Sequence, residues 1–428
     1  MLRRARLLFL LLALCAAAAP VLAQLRGHGG PVRAVAISSD GSRALSGSFD
    51  ATAIIWSLAT ASAERVLRFH DSAVNATAFL PDGRMATGGE DARIAIWAPG
   101  AARPERVLEG HKAPIVDLAV SPDGKTLASA SWDRTARLWS LANGSARVLD
   151  GHRQNVNGVA FMPDGRSVVT VGYDLSLRIW PLAGGAPTIV ALSEPLNAVA
   201  VAPGGTIVTA GATGKVYFLS AAGKPEGEVD ATEAPIIGLA VSGDGKLAAA
   251  SSVRGAVAII DLPGRTVERL LVGPGLPAWS AVFLPDNRTL LTGGSDNLVR
   301  RWNALTGASI GETVAGTPAD PLAAYGDDPG ARVFRACVAC HTLKASDPPR
   351  AGPTLAGIFG RRIATLPGYD FSPALRQLDI VWTPETVSRL FEIGPMAYTP
   401  GTKMPEQKVG REERAALVRF LEKATANQ

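Results

Sequence analysis

Two thiols and an imidazole stand within five residues at Cys337, Cys340 and His341, in the stretch ACVACHTL. The chain of 428 residues holds only three cysteines and five histidines, so abundance does not explain the cluster. Cys-x-x-Cys-His is the attachment pattern of haem c. Its two thiols add to the haem vinyl groups as thioethers, and the imidazole that follows binds the iron. One helical turn brings both sulfurs to one edge of the ring with the histidine beneath it. Three other chemistries use similar residues. A zinc site wants four ligands, and the remaining cysteine, Cys15, lies in an N-terminal apolar run. A thioredoxin-like redox pair sits beside a βαβ unit, which this sequence does not show. A plain disulfide closes a very small loop and leaves His341 without a role. A six-coordinate iron also needs a second axial ligand, and only two of the five methionines, Met396 and Met404, follow the motif.

The compartment fits that chemistry. The first residues, MLRRARLLFLLLALCAAAAPVLAQ, place Arg3, Arg4 and Arg6 before an apolar run, with Val21-Leu22-Ala23 at the cleavage position. This reads as a secretory signal peptide over 1–23, cleaved after Ala23, and implies a periplasmic protein. Pro20 interrupts the run, which argues against a transmembrane helix, and no later segment is long and apolar enough to span. Cleavage removes three arginines and lowers the formal charge from +5 to about +2, which is no nucleic-acid footprint. Apolar residues make up 47% and charged residues 19%, with 45 Gly and 30 Pro, a composition of turn-rich globular structure rather than disorder.

Most of the chain before the motif repeats. Asp40-Gly41, Asp82-Gly83, Asp123-Gly124, Asp164-Gly165, Gly204-Gly205, Asp244-Gly245 and Asp286-Asn287 recur at steps of 42, 41, 41, 40, 40 and 42 residues. Each pair lies between apolar stretches and reads as a tight hairpin turn. An Asp precedes a Trp by six residues in Asp50/Trp56, Asp91/Trp97, Asp133/Trp139, Asp174/Trp180 and Asp296/Trp302. The fifth and sixth repeats carry Thr213/Leu219 and Arg254/Ile260 instead. Four repeats open on His28, His70, His111 and His152, while Ser193, Thr232 and Pro274 hold that place in the last three.

Three markers on one period resemble the WD-repeat family over about residues 27–314. The resemblance implies a seven-bladed β-propeller, taken here as residues 24–314, with four strands per blade. It also implies a buried His–Asp–Ser/Thr–Trp network, carried over to His111, Asp133 and Trp139 and to His152, Asp174 and Trp180. Blades one and two match it less closely. These histidines are then structural, which leaves His341 as the histidine free for chemistry. Either QLRG (24–27) or SIGETV (309–314) could close the ring. Phe49, Trp132 and Tyr173 precede the turn Asp, a position on the top face in this family, where they serve as partner contacts or as packing between blades.

The pattern then changes. Residues 315–326 read as a Gly-, Pro- and Asp-rich linker. Residues 327–428 read as short helices opened by Asp328-Pro329, Ser372-Pro373 and Thr383-Pro384, with a terminal helix in REERAALVRFLEKAT. The first is expected to run through GARVFRAC. Regular apolar surface is scarce, so something else must fill the core.

GDDPGARVFRACVACH, AGPTLAGIFGRR, LPGYDFS, IVWTPETV and YTPGTKMP resemble, in that order, an all-α class I cytochrome c of the soluble bacterial and mitochondrial kind. The resemblance implies one covalent haem c on Cys337 and Cys340, with His341 and Met404 as iron ligands. It implies that Pro353 orients His341, that Trp382 and Thr402 bond a propionate, and that Arg361 offsets its charge. Tyr398 joins this cofactor-binding set. Phe334 and Phe420 are expected to pack the crossing of first and last helices, and Met396 to pack elsewhere. Phe371 stands where many relatives carry Tyr. Such a protein passes single electrons to redox partner proteins. Residues 327–428 hold 14 basic and 11 acidic side chains. Lys344, Arg361, Arg362, Lys403 and Lys408 are placed to rim the haem edge for an acidic partner, and the propeller is a docking scaffold. The alternative is a haem-containing propeller enzyme resembling quinohaemoprotein dehydrogenases or haem nitrite reductases. Those have eight blades and other motifs.

Overall fold

The computed structural model describes residues 24–311 and 322–426, apart from 274, 336, 370, 403 and 405–408. The signal peptide, residues 312–314 and the first part of the expected linker lie outside the described residues. Seven four-stranded antiparallel sheets follow one another in chain order. Blade one is Val32–Ile37, Arg43–Ser48, Thr52–Ser57 and Ser62–Arg68. The expected turns form: Gly41, Gly124 and Gly165 have φ of 68°, 69° and 67°, and Asn287 takes φ 57° in the seventh. Left-handed backbone of this kind is what Gly and Asn tolerate and most other residues resist.

The closure question resolves to the N-terminal strand. Leu25–Arg26 pairs antiparallel with Leu298–Asn303 and becomes the outer strand of blade seven. Among the described residues of the other candidate, Ser309 forms a bridge to Trp302, and Gln24 Nε2 donates to Ser309 Oγ at 3.1 Å. Joining first and last repeats leaves the ring without an open seam, which protects sheet edges.

Blades are held by satisfied polar chains in an apolar wedge. In blade one the Trp56 indole N–H donates to Ser46 Oγ at 2.7 Å. Ser46 Oγ lies 2.7 Å from His28 Nε2, and His28 Nδ1 lies 2.9 Å from Asp50 Oδ2. The same chain runs through Trp97, Thr87, His70 and Asp91. It recurs through Trp139, Ser129, His111 and Asp133 and through Trp180, Thr170, His152 and Asp174. The network therefore extends to blades one and two as fully as to three and four. Its donors and acceptors match in sequence, with Trp and Ser/Thr donating inward and the carboxylate accepting, so no buried polar group in it is stranded. Apolar contacts then join neighbouring blades; Trp139 and Leu127 of blade three pack with Ile94 and Leu108 of blade two.

Among the described residues the C-terminal domain has five α-helices: α1 (Pro329–Phe334), α2 (Pro373–Arg376), α3 (Pro384–Ile393), α4 (Pro395–Tyr398) and α5 (Arg411–Thr425). Asp328, Ser372 and Thr383 cap as the sequence suggests, each side chain accepting from a backbone N–H of the first turn. Two expectations change. Helix α1 stops at Phe334, and Cys337–Ala339 form a separate 3₁₀ turn rather than its continuation. The end of the linker belongs to the core: Leu322 is buried there, and Tyr325 meets Phe420 edge-on at 5.0 Å. Helices α1 and α5 cross with Phe334 and Phe420 centroids 5.5 Å apart. Gly330 permits the approach, because a β-carbon there would strike the Ala416 carbonyl and Phe420.

Burial alone would raise the Asp174 pKa, but the Arg153 amide, His152 and Ser176 outweigh it and hold it at about 2. A carboxylate depressed on folding stabilises above its unfolded value near 4 and loses that contribution as pH falls toward 2. Asp174→Asn is expected to cost about 2 kcal/mol at pH 7. Denaturant unfolding followed from pH 7 to pH 2 checks this, because the variant's stability falls less steeply below pH 4.

Candidate functional site

The Cys-x-x-Cys-His segment is one turn of chain. Cys340 N–H and His341 N–H both donate to the Cys337 carbonyl, at 3.1 and 2.9 Å. The turn brings both free thiols and the imidazole to one cavity of about 780 Å³. His341 Nδ1 lies 2.8 Å from the Pro353 carbonyl. A carbonyl only accepts, so Nδ1 carries the proton and Nε2 keeps its lone pair. Surrounding atoms desolvate the ring and lower its pKa, while the carbonyl opposes and Arg350 adds to the lowering. A neutral imidazole is the form that binds metal. Burial pushes the Cys337 thiol up to about 11. Burial, helped by Asp50 and Cys337 and opposed by Arg350, pushes Cys340 to about 12. Both are thiols rather than thiolates at neutral pH.

The segment 350–356 packs tightly beneath the imidazole. Gly352 N–H donates to the Cys340 carbonyl at 2.8 Å, and Leu355 N–H to the Thr342 carbonyl at 2.8 Å. A β-carbon on Gly352 would overlap the His341 ring, which requires glycine at that step. Met404 lines the same cavity, and its amide donates to Thr402 Oγ1 at 3.1 Å. Phe334, Leu355, Ile358, Trp382, Leu390, Phe391, Leu417 and Leu421 supply much of the apolar lining. The site thus joins a large apolar enclosure to two thiols, an oriented nitrogen and a thioether, a donor set that fits a haem.

The structure brings Cys337, Cys340, His341, Met404, Pro353, Arg361, Trp382 and Thr402 to this cavity. Tyr398 is the exception: it packs on the helical core with the Arg389 guanidinium 5.9 Å over its ring, and does not line the cavity. Arg361 is less a surface charge than expected. Its guanidinium donates to the Ala356 and Thr354 carbonyls, both at 3.1 Å, and burial lowers its pKa. Of the expected basic rim, Lys344 and Arg362 are exposed, and Lys403 and Lys408 lie outside the described residues. Met396 is 67% exposed rather than a packing residue. Trp132 is partly exposed and donates to Asn157 of the next blade at 3.1 Å.

Two features escaped the sequence. Tyr369, in the same LPGYDFS stretch, packs on Phe371 with centroids 4.5 Å apart and rings tilted by 50°, and donates to the Ala351 carbonyl at 3.0 Å. Blade one also reaches the cavity, through Gly29, Gly30, Phe49, Asp50 and Arg68. Only tertiary structure joins positions some 300 residues apart, so no local pattern announced them. Among the described residues, no group of three or more His, Cys, Asp and Glu is arranged to hold a metal ion.

Fold and site together define a WD-repeat propeller joined to a c-type cytochrome domain. Residues 328–425 match the family described as cytochrome c. Residues 20–57, 62–98, 102–140, 144–181 and 268–303 match the WD domain, G-beta repeat. Blades five and six fall outside those matches, where Thr213/Leu219 and Arg254/Ile260 replace the Asp/Trp marker. The C-terminal domain is 39% identical to a cytochrome c of Cochliobolus lunatus over 98 residues, 22% of this chain and 90% of that protein. It is 36% identical to cytochrome c of Sesamum indicum over 99 residues, 23% of this chain and 88% of that protein. It is 41% identical to cytochrome c type-1 of Ascaris suum over 97 residues, 22% of this chain and 83% of that protein. Through this domain the chain belongs to the cytochrome c family, and it is a haem-binding electron-transfer protein that carries a WD propeller.

Arg361→Ala removes two charge-assisted bonds to partly buried carbonyls. The expected loss is about 2–3 kcal/mol of domain stability, read by thermal unfolding followed in the helical circular dichroism.

Proposed function

We propose that this is an exported, periplasmic cytochrome holding one covalent haem c through Cys337 and Cys340. His341 and Met404 would bind its iron. The supporting observation is the single cavity that both thiols, the oriented imidazole and Met404 line. Haem supplies reversible one-electron chemistry when bound, and nitrogen plus thioether ligation raises its reduction potential. The chain's own residues do the rest. Pro353 holds the Nδ1 proton of His341, Gly352 keeps the ring close to its backbone, and the apolar lining keeps water away from the iron. Trp382, Thr402 and Arg361 border the same cavity and are the groups assigned to the propionates.

Export rests on the N-terminal pattern of charged, apolar and small residues, with cleavage after Ala23. No helix among the described residues is long and apolar enough to cross a membrane. The propeller serves as a scaffold for a redox partner protein, with Phe49, Trp132 and Tyr173 partly exposed on the turns that precede each Asp.

Intact-mass and optical analysis of protein from an exporting host tests this reading. The expected product begins at Gln24, gains the mass of one haem and shows the weak far-red band of iron–thioether ligation. Met404→Ala loses that band and keeps the haem, and the double change Cys337→Ala, Cys340→Ala loses covalent haem. A polypeptide mass without haem, or a band that persists in Met404→Ala, contradicts the assignment.

A further inference from the structure

The haem cavity is not built by the cytochrome domain alone. Gly29 of the propeller lies against Cys340 so closely that a β-carbon there would collide with its sulfur. The neighbouring Ala351 N–H donates to the Gly27 carbonyl at 3.2 Å. Arg68, at the end of blade one's outer strand, supplies the main clamp. Its Nη2 donates to the Arg350 carbonyl at 2.6 Å and to the Ala351 carbonyl at 3.0 Å, and its Nε to Ala351 at 3.2 Å. The same guanidinium lies 4.0 Å over the Tyr369 ring, whose hydroxyl donates to the same Ala351 carbonyl. Asp50, the carboxylate that ends blade one's Trp–Ser–His chain, accepts from Gly29 N–H at 2.8 Å and so holds Gly29 where it meets Cys340.

These contacts converge on one feature, the thiol side of the haem site and the segment leading to Pro353. We propose that blade one is a wall of the haem site: it closes the site on the Cys340 side, and Arg68 braces the segment whose Pro353 carbonyl orients His341. The inference rests on the haem reading above. Its consequence is directional. A redox partner that approaches the Cys340 side meets the propeller, so electrons enter or leave by another face or by way of the propeller surface. A lone cytochrome domain has no such wall. Arg68 acts here as a positioning residue, since it touches the segment and not the imidazole.

The test uses the full-length holoprotein and two variants. Arg68→Ala removes the clamp, and Gly29→Val wedges a side chain against Cys340. Amide hydrogen exchange at Ala351 reads the contact directly, and stopped-flow reduction of the ferric protein by ascorbate reads access to the haem. Both are expected to rise by about tenfold or more in each variant, with Arg68→Lys between wild type and Arg68→Ala. Unchanged exchange and unchanged reduction in Arg68→Ala and Gly29→Val, with the far-red band intact, overturn the wall. A wild-type protein without covalent haem instead overturns the functional reading, and exchange at Ala351 still reports whether the two domains touch.

Discussion

The hydrogen bond from His341 Nδ1 to the Pro353 carbonyl is the interaction on which the site depends. It fixes the tautomer, and the tautomer leaves the Nε2 lone pair free. That carbonyl is useful only if the backbone bearing it stays put. Residues 350–355 are tied down from several directions: to Cys340 and Thr342 by backbone bonds, to Arg361 through Thr354, and to Tyr369 through Ala351. Arg68 and Gly27 add ties from the propeller. Loop residues without regular hydrogen-bond ladders rarely hold a ligand in register, and here side chains replace the ladder.

The propeller solves a related problem by repetition. Each of four blades carries a closed chain of donors and acceptors from Trp to Asp, so a rigid turn stands at each blade's mouth. In each of these blades the turn Asp also accepts from the amide that follows the His, and in blade one that amide is Gly29, which lies against Cys340. Blades five and six drop the marker and still form four-stranded sheets, and apolar contacts join them, with Val208 and Phe218 of blade five packed against Ala248 and Ile260 of blade six.

Much of this was legible in the sequence for a physical reason: period and spacing are local. The 40-residue step of Asp-Gly turns reports hairpins, and Cys-x-x-Cys-His reports one turn of chain carrying three donors. Helix starts at Asp328, Ser372 and Thr383 were legible because caps are chemical signatures. Boundaries were less so. Helix α1 was expected to reach the first cysteine and stops at Phe334, and short α4 carried no periodic stripe to reveal it. Tyr398, the first residue of YTPGTKMP, was placed with the cofactor-binding residues by the cytochrome resemblance, yet it packs on the helical core. The contact between Arg68 and residues 350–351 had no local signature at all.

The central claim is that one iron is held between His341 and Met404 in the cavity these residues line. X-ray absorption at the iron edge of the purified ferrous protein examines it most directly. The account predicts a thioether sulfur bound to iron beside nitrogen neighbours, and its loss in Met404→Ala. An iron with nitrogen and oxygen neighbours alone in the wild-type protein contradicts it.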